Sequence, residues 1–386
     1  METSQLFRKF TTSVFTEMAK HKQQKIREGK EIIDLSIGSP DLPPPPFVMK
    51  ALASSVQKAD QYGYALEGTH DFHEAVARFY QRRYGVTLNV HNEICQLAGS
   101  QEGLVHLPLV LVNPGDVILL PDPCYPAYVT GANLAGADIY TMPLLKENHF
   151  LPDLEAIPKS IAEKAKLMFL NFPGNPVPAM PTKAFFEEVV HFAKAYDIAV
   201  VHDFAYSELY FTDEKPISFL SIDRAKEIGV EFNSLSKSYN MAGCRIAYIV
   251  GNEKMIQALS RLKSNLDFGV FLPIQHAAAK ALNEGDSFLE AIASIYKKRR
   301  DILVEGLHEI GWELDKPEAT MFIWAPVPNR LSSFDFTLQL LDKAGVVVTP
   351  GSAFGTHGEG YVRIGLVQNE EKLAEAVDKI KNAKIF

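Results

Sequence analysis

The chain has 386 residues and a formal net charge of −8, from 39 basic and 47 acidic side chains. That length supports one large domain with a smaller companion, and the acidic balance argues against a nucleic-acid binder held by bulk electrostatics. No apolar run approaches the roughly 20 residues a membrane helix needs, and the N-terminus lacks the basic-then-apolar pattern of a signal peptide. The three cysteines, at 95, 124 and 244, are odd in number and not closely spaced. They read as free thiols in a reducing cytoplasm, with no membrane partner. No CxxC or HExxH occurs, so no metal site is expected.

Residues 6–28 predict an amphipathic helix with Leu6, Phe10, Val14, Phe15 and Met18 on one side. A strand at 32–37 follows, then the stiff proline run Pro43 to Pro46. Beyond it, helical patterns at 47–57, 69–84, 101–112, 125–135 and 181–196 interleave with apolar strands. The strands are expected at 94–98, 117–120, 138–142, 167–170, 198–202, 229–233 and 246–250. Strands buried on both faces between helices predict an α/β domain with a mostly parallel sheet. After about residue 275 the pattern changes to a long helix at 286–309, a strand ending at Trp324 and a helix at 332–344. Short strands at 346–348 and 362–365 and a terminal helix complete a smaller α+β domain. The expected division is 1–45 as the N-terminal part of the small domain, 46–275 as the large domain and 276–386 as the rest of the small one.

Several of these strands run into polar turns. Leu97-Ala98-Gly99-Ser100-Gln101 opens a helix, where free amides and the helix dipole favour an anion, although Ser100 also suits an N-cap. Pro121-Asp122-Pro123-Cys124-Tyr125 puts an aromatic at a strand end, able to stack on a flat ring or simply to pack. Asn171-Phe172-Pro173-Gly174-Asn175-Pro176 presents Asn175 before a proline, which also fits a plain turn. Asp203 ends a buried strand, where α/β sheets bind ligands, with Tyr206 three residues on. A helix cap is the plainer reading of Asp203. Ser234-Leu235-Ser236-Lys237-Ser238 precedes Arg245 by eight residues from the lysine. Hydroxyls and an arginine suit a phosphate, and a lysine beside them can combine with an aldehyde. Arg363 lies inside the alternating strand Tyr361-Val362-Arg363-Ile364-Gly365 and needs an anionic partner, either an internal carboxylate or a substrate's.

In this order the motifs resemble those of the class I/II, fold-type I, pyridoxal-phosphate-dependent aminotransferases over nearly the whole chain. The resemblance implies a large domain with a mostly parallel mixed sheet, a smaller α+β domain and pyridoxal 5′-phosphate as cofactor. It makes Lys237 similar to the Schiff-base and proton-moving lysine, and Asp203 to the partner of the ring nitrogen. Asn175 and Tyr206 match the ring-oxygen donors. Ser100, Gln101, Ser234, Ser236 and Arg245 match the phosphate site, and Tyr125 the stacking residue. Arg363 and Gly38 match the groups that hold the substrate carboxylate. A family tyrosine that reaches the neighbouring subunit's phosphate falls on Tyr62, with Tyr64 close behind, in Gln61-Tyr62-Gly63-Tyr64-Ala65-Leu66-Glu67-Gly68. A homodimer with shared sites follows. The chain departs from the pattern at Val177-Pro178 after Asn175-Pro176, and at Cys244 before Arg245.

The expected activity is transfer of an amino group from an L-amino acid to a 2-oxo acid. The segment 263–271 resembles the branch of LL-diaminopimelate aminotransferases, and 166–171 and 201–206 resemble methionine and neutral amino-acid transaminases. Asn265 reads as a distal contact across a dimer or as a helix end, and Phe15, Ile37 and Tyr125 as an apolar wall. A carbon–sulfur β-lyase with the same lysine is the alternative.

Overall fold

The apolar runs between the helices assemble into one sheet in a computed structural model, which describes residues 2–4, 6–10, 14–328 and 330–386. After a short β1 (Ile33–Asp34), the chain forms β2 (Ile94–Leu97), β3 (Val117–Asp122), β4 (Asp138–Pro143), β5 (Ala165–Leu170) and β6 (Ala199–Asp203). It continues through β7 (Gly229–Ser234) and β8 (Ala247–Gly251). Among the described residues these make a seven-stranded sheet in the order β2-β8-β7-β6-β5-β3-β4. Only β8 runs against its neighbours, so the C-terminal ends of β2, β3, β5, β6 and β7 share one edge. Period-2 alternation is visible in β5. Met168 and Leu170 enter the core on one face, Leu167 and Phe169 that on the other, and all four are fully buried.

The C-terminal third adds β9 (Phe322–Pro326), β10 (Val346–Val347), β11 (Thr349–Pro350) and β12 (Tyr361–Gly365). β12 lies between β11 and β9, antiparallel to both. β1 pairs in parallel with β10, and Ile33 and Leu35 join the same apolar core as Val346, Ile364 and Phe322. The N-terminal segment thus folds with the C-terminal third.

Three expectations change. The strand expected at 32–37 keeps regular pairing only at Ile33–Asp34. Beyond Leu35 its carbonyls turn away: Ser36 O accepts from Arg363 and Thr349, and Gly38 O from Lys237. The helix expected over 6–28 crosses residues 11–13, which lie outside the described residues. On either side are a 3₁₀ turn, Leu6–Lys9, and a helix, Val14–Arg27, and Leu6 is exposed while Met18 is buried. Helices Glu253–Lys263 and Leu272–Glu284 occupy a stretch with no expected element. The first has an apolar stripe of Met255, Ile256 and Leu259, capped by Asn252. The second has Pro273 in its first turn, where a missing N–H costs nothing. Pro46 likewise begins the helix Pro46–Ser55 after an extended Pro45. Among the described residues, no helix is long and apolar enough to cross a membrane.

Candidate active site

The strand ends open onto a cavity of about 860 Å³. Every candidate residue except Tyr62, Tyr64 and Asn265 lines it: Gly38, Ser100, Gln101, Tyr125, Asn175, Asp203, Tyr206, Ser234, Ser236, Lys237, Arg245 and Arg363. Chain positions from 38 to 363 are brought together by the shared sheet edge and by the return of the C-terminal strands.

Lys237 sits in a four-residue helix, Leu235–Ser238, directly after β7. Ser234 caps that helix, its Oγ accepting the Ser236 N–H at 3.1 Å. The Lys237 ammonium donates to the Gly38 carbonyl at 2.5 Å. Burial, with Arg363 and Arg245 nearby, lowers its pKa to about 8, against the opposing pull of Asp203. A buried amine with a lowered pKa reaches its neutral form, which is a nucleophile and a base, at lower pH than an exposed lysine does.

Asp203 ends β6 and is 5% exposed. No helix follows it. Its carboxylate accepts the Tyr128 hydroxyl at 2.7 Å and the Ala205 N–H at 3.3 Å. Burial pushes its pKa up in spite of these donors. Such a carboxylate gains by pairing with a cation in the cavity. Asn171 holds two strand ends together, donating to the Asp203 carbonyl at 2.7 Å and accepting the Asn175 N–H at 2.8 Å.

Ser100 is the first residue inside the helix Ser100–Leu111, and Gly99, not Ser100, occupies the cap position. Gly99 has φ +88°, and a β-carbon there would lie 2.0 Å from Arg245 Nη2. Glycine therefore lets the arginine lie against the turn, beside the helix start. Arg245 donates to the Ala242 carbonyl at 3.1 Å and the Ala98 carbonyl at 3.5 Å. Tyr125, the residue before the helix Pro126–Ala135, donates to Gln101 Oε1 at 3.1 Å.

Arg363 is 4% exposed on β12. Among the described residues its hydrogen-bond partners are neutral: Asn175 Oδ1 at 2.7 Å, Ser36 O at 2.7 Å and Thr349 Oγ1 at 3.3 Å. Its Nε has none. The guanidinium lies 4.2 Å from the Phe322 ring centroid and 4.9 Å from that of Phe354. Burial lowers its pKa to about 10. A guanidinium held by neutral groups between two rings keeps its charge unmatched, and a carboxylate is the anion its planar fork suits. Over it, a β-carbon at Gly38 would lie 3.7 Å from Arg363 Nη1.

Tyr62 and Tyr64 lie elsewhere, 64% and 87% exposed. The Tyr62 hydroxyl donates to the Val56 carbonyl at 2.7 Å. Asn265 folds back on its own helix, donating to the Arg261 carbonyl at 2.8 Å. Phe15 and Ile37 line the cavity as expected, and Phe15 meets Phe354 edge-on at 5.5 Å. Sequence reasoning missed Tyr128, Asn171, Phe322 and Phe354. Tyr128 lies one helical turn beyond Tyr125, and that spacing marks it as facing the same way. Phe354 ends the 3₁₀ turn Gly351–Phe354, which has no periodic signal. Among the described residues no group of three or more His, Cys, Asp or Glu is placed to hold a metal.

Comparison with known proteins agrees with this geometry. The family model "Aminotransferase class I and II" matches residues 30–380. The chain is 44% identical to the LL-diaminopimelate aminotransferase of Moorella thermoacetica, covering 99% of this chain and 98% of that one. It is 43% identical to the enzyme of that name from Aquifex aeolicus, over 96% of each. The substrate-bound structure of BacF from Bacillus subtilis superimposes with a TM-score of 0.95 at 40% identity, over 99% of this chain and 98% of that one. The chain belongs to the class I and II aminotransferases, a family that uses pyridoxal phosphate, and is an aminotransferase of the fold-type I architecture.

Proposed function

We propose that this cavity binds pyridoxal 5′-phosphate and an L-amino acid, with Lys237 as the proton carrier of the transfer. The observation that carries the reading is Arg363, a buried guanidinium whose hydrogen-bond partners among the described residues are all neutral, facing the same cavity as Lys237. Fit to the cofactor rests on the donor set: the cradle that a Gly99 β-carbon would fill, the buried carboxylate of Asp203 and an amine with depressed pKa. When bound, the cofactor supplies an aldehyde and an electron-withdrawing ring. Ser100, Gln101, Ser234, Ser236 and Arg245 would hold its phosphate, and Tyr125 would supply a flat face for the ring. Asp203 keeps the ring nitrogen protonated, oriented by the Tyr128 hydroxyl. Tyr206 and Asn175 donate to the ring oxygen, Asn175 through its amide N–H₂ because its oxygen is engaged by Arg363. Arg363 and the Gly38 backbone orient the α-carboxylate. Neutral Lys237 Nζ then takes the α-proton and delivers it within the same cavity.

LL-diaminopimelate is the substrate proposed, on the strength of relatives of that name that match along the full chain. The neutral wall of Phe15, Ile37 and Phe354 favours a second reading, a neutral side chain such as that of methionine. Initial rates for both donors with 2-oxoglutarate decide between them: LL-diaminopimelate should give the higher kcat/KM, and a preference for methionine would move the assignment to the second. Release of pyruvate from cystathionine would reveal β-lyase chemistry instead.

The active unit proposed is a homodimer. Tyr62, Tyr64, Leu266, Phe268 and Phe271 are all exposed, and two ring pairs, Tyr62–Phe271 and Tyr64–Phe268, each meet at 5.4 Å. Such a patch suits a second copy, with Tyr62 or Tyr64 reaching the partner's phosphate site. The β1–β10 pairing supports grouping 1–45 with 276–386 as one domain around 46–275. Three unpaired cysteines support a cytoplasmic location.

A further inference from the structure

Glu102, in the first turn of the helix Ser100–Leu111, faces away from the proposed reaction. A single oxygen, Oε2, accepts both the Ala98 N–H at 2.7 Å and the Lys263 ammonium at 2.9 Å. The Lys263 side chain is only 1% exposed and reaches a second carboxylate, Asp267 Oδ2, at 2.7 Å. Asp267 uses its other oxygen to accept the Gly269 N–H at 2.8 Å. Gly269 bridges to Ala65, in the loop that carries Tyr62 and Tyr64. With φ +96°, and 1.6 Å between a β-carbon built there and the Ala65 carbonyl oxygen, only glycine permits this approach. At the other end of the line, the Ala98 carbonyl accepts from Arg245.

Pairing alone gives Lys263 little reason to be buried. A buried ammonium loses hydration, and a buried ion pair is often no more stabilising than apolar groups of the same volume. What distinguishes Lys263 is the origin of its partners. One belongs to the turn that holds Arg245, the other to the exposed aromatic loop. Moving either loop strains the same ammonium.

We propose that Lys263 is a positioning residue that couples cofactor binding at the 98–101 turn to docking of a second copy on the 62–68 and 264–271 loops. The proposal rests on the cofactor and dimer assignments above. By linkage, the cofactor then tightens the dimer by the same factor as the dimer tightens the cofactor.

The test measures the dimer dissociation constant by sedimentation, with and without pyridoxal phosphate, and cofactor affinity by absorbance titration. In the unaltered protein the cofactor should tighten the dimer about tenfold, within the usual range of such couplings. Lys263→Met should weaken cofactor binding and cut that tightening to about threefold or less, the remainder being carried by the tyrosine that crosses to the phosphate, and Lys263→Arg should restore part of the loss. Lys263→Met leaves two carboxylates facing one another, so Asp267→Asn provides a second arm at a more exposed position. Asparagine keeps an acceptor for the Gly269 N–H but removes the charge opposite Lys263. Asp267→Asn should also lose most of the coupling. Full tightening retained in folded Lys263→Met or in Asp267→Asn overturns the role of Lys263. An unaltered protein that neither binds the cofactor nor dimerises overturns the underlying assignments instead.

Discussion

At the scale of single residues, the site works by placing ionisable groups where water cannot stabilise their usual charges. Lys237 has its pKa lowered from 10.5 to about 8 by burial and two arginines. Its neutral fraction therefore rises as pH increases through 8, and only the neutral amine attacks an aldehyde. The rate at which apoprotein takes up pyridoxal phosphate should climb with a midpoint near pH 8 in rapid-mixing experiments. A rate still rising steeply beyond pH 9 would place the lysine in an ordinary environment. Arg363 makes a different prediction. Arg363→Gln removes the charge that meets the substrate carboxylate, while the cofactor groups stay in place. Steady-state kinetics should show KM for the amino donor raised roughly 100-fold, the loss expected for a desolvated charge-assisted pair. Cofactor affinity should change little. These two residues were legible in the sequence, Lys237 from the serines around it and the arginine eight residues on, and Arg363 as a charge inside an apolar strand. Tyr128 was legible only as facing the same way as Tyr125, because its hydrogen bond to Asp203 joins residues 75 apart in the chain.

At the scale of elements, the meeting of β2 with its helix is the most constrained joint. Gly99 serves it twice, through a positive φ and through the space it leaves for Arg245. Gly99→Ala should weaken cofactor binding at least tenfold and lower stability by about 1–2 kcal/mol, the cost of forcing a side chain into left-handed backbone. Absorbance titration and thermal unfolding measure the two effects separately. Unchanged cofactor affinity would mean that Arg245 does not depend on this approach. The sheet strands were legible because burial on both faces leaves continuous apolar runs, as in Leu167 to Leu170. The segment 32–37 was less so. Its alternation is that of a strand, but Ser36 and Gly38 give their carbonyls to Arg363 and Lys237 instead of a ladder. Helix Leu272–Glu284 was hidden by the proline in its first turn, and the path of 264–271 is set by the Lys263 ion pairs.

At the scale of the whole molecule, one sheet edge collects the proposed cofactor-binding groups from β2, β3, β5, β6 and β7, and the C-terminal strands bring Arg363 across to meet them. The division of labour explains why the reaction class follows from the residues while the side-chain preference does not. In the reading proposed above, Arg363 meets the carboxylate that all amino acids share while Asp203 and Lys237 act on the cofactor, and the neutral wall of Phe15, Ile37 and Phe354 carries no charge to select among side chains. Lys237→Ala should lower turnover by about 10⁴-fold, the upper range for removing a positioned base, with the sheet and both cores unaffected. The most direct test of the account is a single half-reaction. Yellow holoenzyme is mixed with an amino donor in the absence of any acceptor, and colour and 2-oxo acid are followed together. The colour should bleach as one 2-oxo acid forms per site, a fresh 2-oxo acid should restore it, and Lys237→Ala should do neither. Continued product formation without an acceptor, or unaltered bleaching and recovery in Lys237→Ala, would contradict it.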